Sequence, residues 1–241
     1  MNVIAALYKF VRIADTAALK DALTFLLKGE NIKGTIIVAQ EGINGTVAGT
    51  RLAIDQLKSY LAKDERFLGM EYKESFAPIC PFKRLKVKIK QEIVTLGCEG
   101  IDPVDDAGVL VDAQQWNALL SDPEVTIIDV RNDFEVALGS FENAVNPNTK
   151  NFGEFPRFVD KHLSPSTNKK IAMACTGGIR CEKASSYLKQ VGFQTVYQLK
   201  GGILQYLRDT PKEESKWRGQ CFVFDERIAL NHDLAPARNA D

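Results

Sequence analysis

The segment CTGGIRC, Cys175 to Cys181, places a thiol directly after the apolar run Ile171-Ala172-Met173-Ala174 and just before the helical pattern EKASSYLKQ. A cysteine there lies on a short loop between the end of a buried strand and a helix that begins around Arg180 or Cys181. Gly177 and Gly178 let the backbone curl tightly. A curled run of amides favours an anion, the helix start adds partial positive charge, and Arg180 adds a full one. Such surroundings lower a thiol pKa, and the thiolate is the nucleophile. Thr176, Gly177, Gly178 and Ile179 supply the loop backbone. The competing reading is a structural cysteine beside a glycine turn. The joint occurrence of strand end, paired glycines, arginine and helix start favours a functional Cys175. Cys181 is either a second thiol able to resolve a sulfenate or persulfide on Cys175, or a small residue packed in the first helical turn.

A second apolar run, VTIIDVR, also ends in polar residues. Parallel sheets place their sites at the C-terminal ends of strands. Asp129, Arg131 and Glu135 therefore belong near the cysteine loop. Charged residues at a strand end often form a structural ion pair and cap, so these three are expected to support the loop rather than react.

Other chemistries find little footing. Five cysteines and two histidines, His162 and His232, include no CxxC pair, so a structural zinc site is not expected and no metal is assigned. No GxGxxG follows a strand, and two distant histidines do not make a facial-triad iron site. No cofactor is identified from motifs. No apolar run approaches membrane-spanning length. The N-terminus MNVIAALYKFVRIAD shows no basic leader or small-residue cleavage site, so a cytoplasmic protein without a membrane role is expected.

The elements that must position the loop can be read in order. VIAALYKFVRI is strand-like, DTAALKDALTFLLKGEN is helical with Asp15 or Thr16 as cap, and KGTIIVAQEGINGTVAG is strand, turn, strand. TRLAIDQLKSYLAKDERF is a helix capped by Thr50, and MEYKESF and RLKVKIKQEIV are further strands. The order β-α-β-β-α-β predicts an α+β, ferredoxin-like domain over 1–97. LGCEGIDPVDDAGV breaks the pattern, which predicts a linker over 98–107. Alternating strands and helices over 108–210 predict an α/β domain with a mainly parallel sheet. Residues 211–241 read as a mixed tail in which CFVFDERIAL is the only apolar stretch, with the last few residues disordered.

Net charge is zero over 241 residues, yet 1–97 hold 15 Lys/Arg against 10 Asp/Glu, and the remainder 16 against 21. The basic half permits an anionic partner. Lys83, Arg84, Lys86, Lys88 and Lys90 cluster without an acid. In a strand, Arg84, Lys86, Lys88 and Lys90 share one face, opposite Leu85, Val87 and Ile89. Such a stripe suits phosphates. Taken alone it reads more readily as a solvated sheet face that keeps an edge from aggregating. Glu41 and Asn44 either face a substrate or make a turn, and Tyr72 and Phe82 either stack on a base or pack in the core.

IIDVRNDFEVALGSFENAVN, CTGGIRC and LKGGILQY resemble the signatures of the rhodanese family, which implies that Cys175 carries a persulfide or acts as a nucleophile. Phosphatases of a related fold use a longer loop between cysteine and arginine. The four residues here, Thr176 to Ile179, suit a sulfur anion better than a phosphate. AQEGINGTVAG, PFKRLKVKIKQEIVTLG, GIDP, CTGGIRCEKAS, LKGGILQYL and CFVFDERIAL together resemble the bacterial rhodanese-domain tRNA uridine hydroxylases, in a short form. That resemblance implies an acylphosphatase-like first domain and oxygen-dependent 5-hydroxylation of the wobble uridine of certain tRNAs. It also implies molecular oxygen as co-substrate, the anticodon arm of tRNA as partner, and a sulfur or electron donor. Longer members carry a cysteine-rich extension after a CFVFDERI-like segment. With Cys221 alone in the corresponding region, no metal-binding role of that kind is expected here. The sulfurtransferase and the non-catalytic RNA- or protein-binding module remain as rivals.

Overall fold

In the computed structural model, which describes residues 1–236, the chain divides into two compact units, Met1–Thr95 and a second beginning at Leu96. The sequence places this boundary two residues later. The first unit runs β1 (Asn2–Phe10), α1 (Thr16–Gly29), β2 (Lys33–Ala39), β3 (Gly42–Gly49), α2 (Arg51–Leu61), β4 (Tyr72–Ala77) and β5 (Leu85–Ile89). Its sheet has the order β4-β1-β3-β2-β5. All neighbours are antiparallel except β2 and β5, which are parallel.

Strand alternation decides which face of this sheet is buried. Val3, Ala5 and Leu7 of β1, Ile36 and Val38 of β2 and Val47 of β3 pack with Leu19, Leu23 and Leu27 of α1 and Ile54, Leu57 and Leu61 of α2. The helical residues recur at intervals of three and four, so each helix presents one apolar stripe. Thr50 caps α2 by accepting from the Ala53 N–H at 3.2 Å. Asp15 precedes α1 without capping it, because its carboxylate pairs with Arg66 instead.

The second unit runs α3 (Pro103–Asp106), β6 (Val109–Val111), α4 (Ala113–Leu120), β7 (Val125–Asp129), α5 (Asp133–Val136), β8 (Gly139–Phe141) and α6 (Phe155–His162). It continues with β9 (Lys170–Ala174), α7 (Ile179–Gln190), β10 (Thr195–Leu199), α8 (Gly202–Asp209), β11 (Trp217–Gly219), β12 (Cys221–Phe222) and β13 (Ala229–Leu230). Four parallel strands form one sheet in the order β6-β10-β9-β7. The chain is thus an α+β ferredoxin-like domain followed by an α/β domain with a parallel sheet.

Two regions differ from the sequence reading. The 98–107 segment contains α3, whose Asp106 carboxylate pairs with Lys189 of α7. Residues after 210 are built into the second core. β11 pairs with β8, and Trp217 and Cys221 pack with Trp116, Phe141 and Tyr206. The low apolar content of this stretch concealed that role, because two or three large side chains carry the packing. The disorder expected for the last few residues falls outside the described residues. Among those described, no helix is long and apolar enough to cross a membrane.

Candidate active site

β9 delivers Cys175 at its C-terminal end, between the ends of its neighbours β7 and β10. α7 begins at Ile179, slightly earlier than the sequence suggests, and Gly178 stands at its N-cap with φ of 101°. A side chain rarely adopts that conformation, so glycine is required there. The turn aims the Gly178 N–H at the Cys175 sulfur, 3.1 Å away.

Burial by itself pushes the Cys175 thiol up. It is outweighed by a hydrogen bond from the Cys181 thiol, the charge of Arg180 and the backbone N–H groups of Cys181 and Gly178, which bring the pKa down to about 5. Cys181 moves the other way. Burial and the neighbouring Cys175 sulfur raise it well above the ordinary thiol range. The two sulfurs are thus pushed in opposite directions, Cys175 towards the thiolate and Cys181 towards the thiol. Both sulfurs are fully buried. The walls next to Cys175 are polar, yet in this conformation the sulfur has no exposure to solvent.

The buried charges around the loop form two ion pairs. Arg180 meets Glu135 end on, with Nη1 to Oε1 at 2.6 Å and Nη2 to Oε2 at 2.8 Å. Arg180 Nη2 also lies 3.4 Å from the Thr176 hydroxyl. Arg131 is bidentate to Asp129, with Nε to Oδ1 at 2.8 Å and Nη2 to Oδ2 at 2.6 Å. Nη2 of Arg131 also donates to the Gly139 carbonyl at 2.6 Å, and Ser140 donates to Asp129 at 2.7 Å. Asp129, Arg131 and Glu135 are completely buried. In this arrangement Glu135 holds Arg180, while Asp129 and Arg131 hold each other and the start of β8.

Several contributors escaped the sequence reading. Gly202, with φ of 68°, lies so close to the loop that an added Cβ would sit 2.5 Å from the Cys175 carbonyl oxygen and 2.7 Å from the Gly178 nitrogen. The N–H groups of Ile203 and Leu204 donate to the carbonyls of Cys175 and Thr176 at 2.9 and 3.1 Å. The start of α8 thus holds the outside of the loop whose inside holds sulfur. The glycine pair in LKGGILQY was the available signal. The tail supplies Trp217, whose ring faces Arg131 at 5.1 Å, and Phe224, whose ring lies 6.0 Å from the Arg180 guanidinium carbon. Cys221 is buried near these charges, and burial pushes its thiol up to about 12.

In the first unit the basic alternation holds. Leu85 and Val87 pack against the helix-side core, so Lys86 and Lys88 face the opposite side of the sheet. The Gly34 N–H donates to the Arg84 carbonyl and the Lys90 N–H to the Val38 carbonyl, extending the ladder past both ends of β5. Lys83, Arg84, Lys88 and Lys90 are exposed and Lys86 is half-buried. Direct cross-strand partners put Lys73 on the same face as Lys86, and Lys73 lies over the Tyr8 ring at 5.1 Å. Glu41 and Asn44, the latter within β3 rather than in a turn, tie the sheet to the segment after β5: the Glu41 carboxylate accepts the Ile93 N–H at 2.6 Å, and the Asn44 amide donates to the Ile93 carbonyl at 2.9 Å. Tyr72 and Phe82 pack against core clusters.

Comparison with known proteins divides the chain in the same way. A family model described as a UPF0176 acylphosphatase-like domain matches residues 2–93, and one described as a rhodanese-like domain matches residues 112–209. Among solved structures, the chain is similar to the Alr3790 protein of Anabaena sp., at 22% identity and a TM-score of 0.38 over 45% of this chain and 91% of that one. It is also similar to a rhodanese-related protein of Thermoplasma volcanium, at 28% identity and a TM-score of 0.35 over 42% of this chain and 92% of that one. Residues 2–93 are thus similar to UPF0176 acylphosphatase-like domains, and residues 112–209 to rhodanese-like domains.

Proposed function

We propose that this protein is a tRNA-modifying enzyme that hydroxylates carbon 5 of the wobble uridine with molecular oxygen, using Cys175 as the reactive group. The observation that carries the reading is the Cys175 thiolate, stabilised by Gly178, Cys181 and Arg180 in a loop that follows a UPF0176-type domain. One oxygen atom enters the C5–H bond and the other leaves as water, so the reaction draws an electron pair and two protons from a thiol-class donor. Within this scheme Cys175 is the anion that meets the substrate, Cys181 holds the proton beside it, and Arg180 holds the charge that keeps Cys175 ionised. The target base must leave its stack before it can react. Lys83, Arg84, Lys86, Lys88 and Lys90 then serve as phosphate contacts for the anticodon arm.

The rival with a specific observation behind it is sulfur transfer, since the same thiolate suits a persulfide and Cys181 lies beside it as a second thiol. Mass spectrometry of tRNA nucleosides separates the two. A strain lacking the gene should lose 5-hydroxyuridine and its derivatives, wild type should restore them, and Cys175→Ala should not. Thiosulfate turnover with unaltered tRNA would favour sulfur transfer, and full rescue by Cys175→Ala would leave a non-catalytic module.

A further inference from the structure

Three phenylalanines form a row beside the candidate active site. Phe134 packs edge to face on Phe222 with centroids 5.2 Å apart, and Phe222 packs edge to face on Phe224 at 5.0 Å. Phe134 directly precedes Glu135, and Phe224 lies against Arg180, so the row spans the ion pair that charges the cysteine loop. The two outer rings remain substantially open: Phe134 is 45% exposed and Phe224 62%. Leaving a large ring in water gives up stabilisation that burial would provide.

The hairpin that presents Phe224 is firmly constructed. Asp225 and Arg227 are paired, with side chains only 2% and 8% exposed, and the Asp225 carboxylate also accepts the Arg227 N–H at 3.0 Å. Ile228 sits at φ of 63°, a region costly for a β-branched side chain. Its carbonyl accepts the Val223 N–H at 2.8 Å, which closes the turn. Strain of this kind persists where the surroundings over-determine it, and it clusters at binding sites. Here its effect is to fix an aromatic ring in the open beside a guanidinium.

We propose that Phe224 and Phe134 form a stacking surface for unpaired nucleobases of a single-stranded RNA loop, held beside the Arg180–Glu135 pair. Exposed aromatic faces accept any base, and these two stand open beside the cysteine loop. Nothing in the row distinguishes one base from another, so it holds the strand while selection of the target falls to other groups. The inference rests on the reading of tRNA as substrate and extends it from the first unit to the second.

The test compares full-length protein binding to two RNAs of equal charge, an anticodon stem-loop and a fully paired duplex, by fluorescence anisotropy. Wild type should prefer the stem-loop. Phe224→Ala should weaken stem-loop binding by about 5- to 150-fold while leaving duplex binding unchanged, Phe134→Ala should act in the same direction, and Phe224→Trp should restore affinity. Alanine variants that bind the stem-loop like wild type overturn the proposal. So does a wild type that binds both RNAs alike, which would assign the patch to a protein partner. Unchanged binding by Phe224→Ala with Cys175-dependent 5-hydroxyuridine intact defeats this inference alone. Phe224-dependent loop binding with no change in tRNA nucleosides on gene loss defeats the hydroxylase reading alone.

Discussion

Arg180 and Glu135 meet through two parallel hydrogen bonds of 2.6 and 2.8 Å, and neither side chain is more than 8% exposed. This pair lets a full positive charge exist beside Cys175 inside the protein. Burial alone would lower the Arg180 pKa, and the Glu135 carboxylate more than reverses that effect. Removing one member leaves the other charge buried and uncompensated. Glu135→Gln should therefore destabilise the protein by about 3–5 kcal/mol, and the double variant Glu135→Gln, Arg180→Met by less than that. Urea unfolding of the three proteins checks this. A double variant at least as unstable as the single one would show that the pair is not the unit of stability.

The second prediction concerns the sulfur. With its pKa lowered to about 5, Cys175 should be thiolate throughout the neutral range. An unperturbed cysteine ionises near pH 8.5. The NMR shift of the Cys175 Cβ, which reports ionisation without a reagent having to reach the buried sulfur, should titrate through a midpoint near 5 and stay flat to pH 8. Cys181→Ala removes a hydrogen bond to the anion and Arg180→Met removes a cation, so each should move the midpoint upward. A wild-type midpoint close to that of free cysteine would remove the basis for a reactive Cys175.

The sequence revealed the inside of this loop better than its outside. Cys175, Gly178 and Arg180 are neighbours in the chain, and the curl that joins them is a local property of paired glycines before a helix. Glu135 lies 45 positions from Arg180, and a strand-end carboxylate carries no mark of which cation it will meet. Phe224 and Trp217 were harder still. Trp217 lies where few residues are apolar and a single large ring does the packing, and Phe224, within the apolar run CFVFDERIAL, is exposed and follows no periodicity that would place it beside Arg180. The basic alternation of Lys86 and Lys88 was legible because a strand has period two. Which neighbour β5 would take, and that the pairing would be parallel, was not, since that is settled by the whole sheet.

Gly202 supports the third prediction. Its φ of 68° disfavours any side chain, and a Cβ would sit 2.5 Å from the Cys175 carbonyl oxygen. That neighbour is backbone, which has no flexible end to swing aside. Gly202→Ala must push α8 away from the loop, loosening the bonds from the Ile203 and Leu204 amides. The variant should lose about 1–3 kcal/mol of stability, and the ionisation midpoint of Cys175 should be displaced towards that of free cysteine. Gly177→Ala is the control, because no atom lies within 4 Å of its added Cβ. If both variants behaved like wild type, the start of α8 would have no part in shaping the loop.

The last prediction separates the two readings of the basic strand. Lys86 and Lys88 project from the face opposite the helices, and charge there serves either solubility or phosphate binding. Phosphate binding has a thermodynamic signature that solubility lacks, because each neutralised phosphate releases condensed counterions. Full-length protein with Lys86→Gln and Lys88→Gln should bind tRNA more weakly at low salt. The slope of log affinity against log salt should shrink by roughly 0.7–0.9 for each phosphate that is no longer neutralised. The thermal midpoint should remain unchanged, since lysines on an open sheet face contribute little to folding. An unaltered slope would return β5 to the role of a solvated edge and move the RNA-binding surface elsewhere on the molecule.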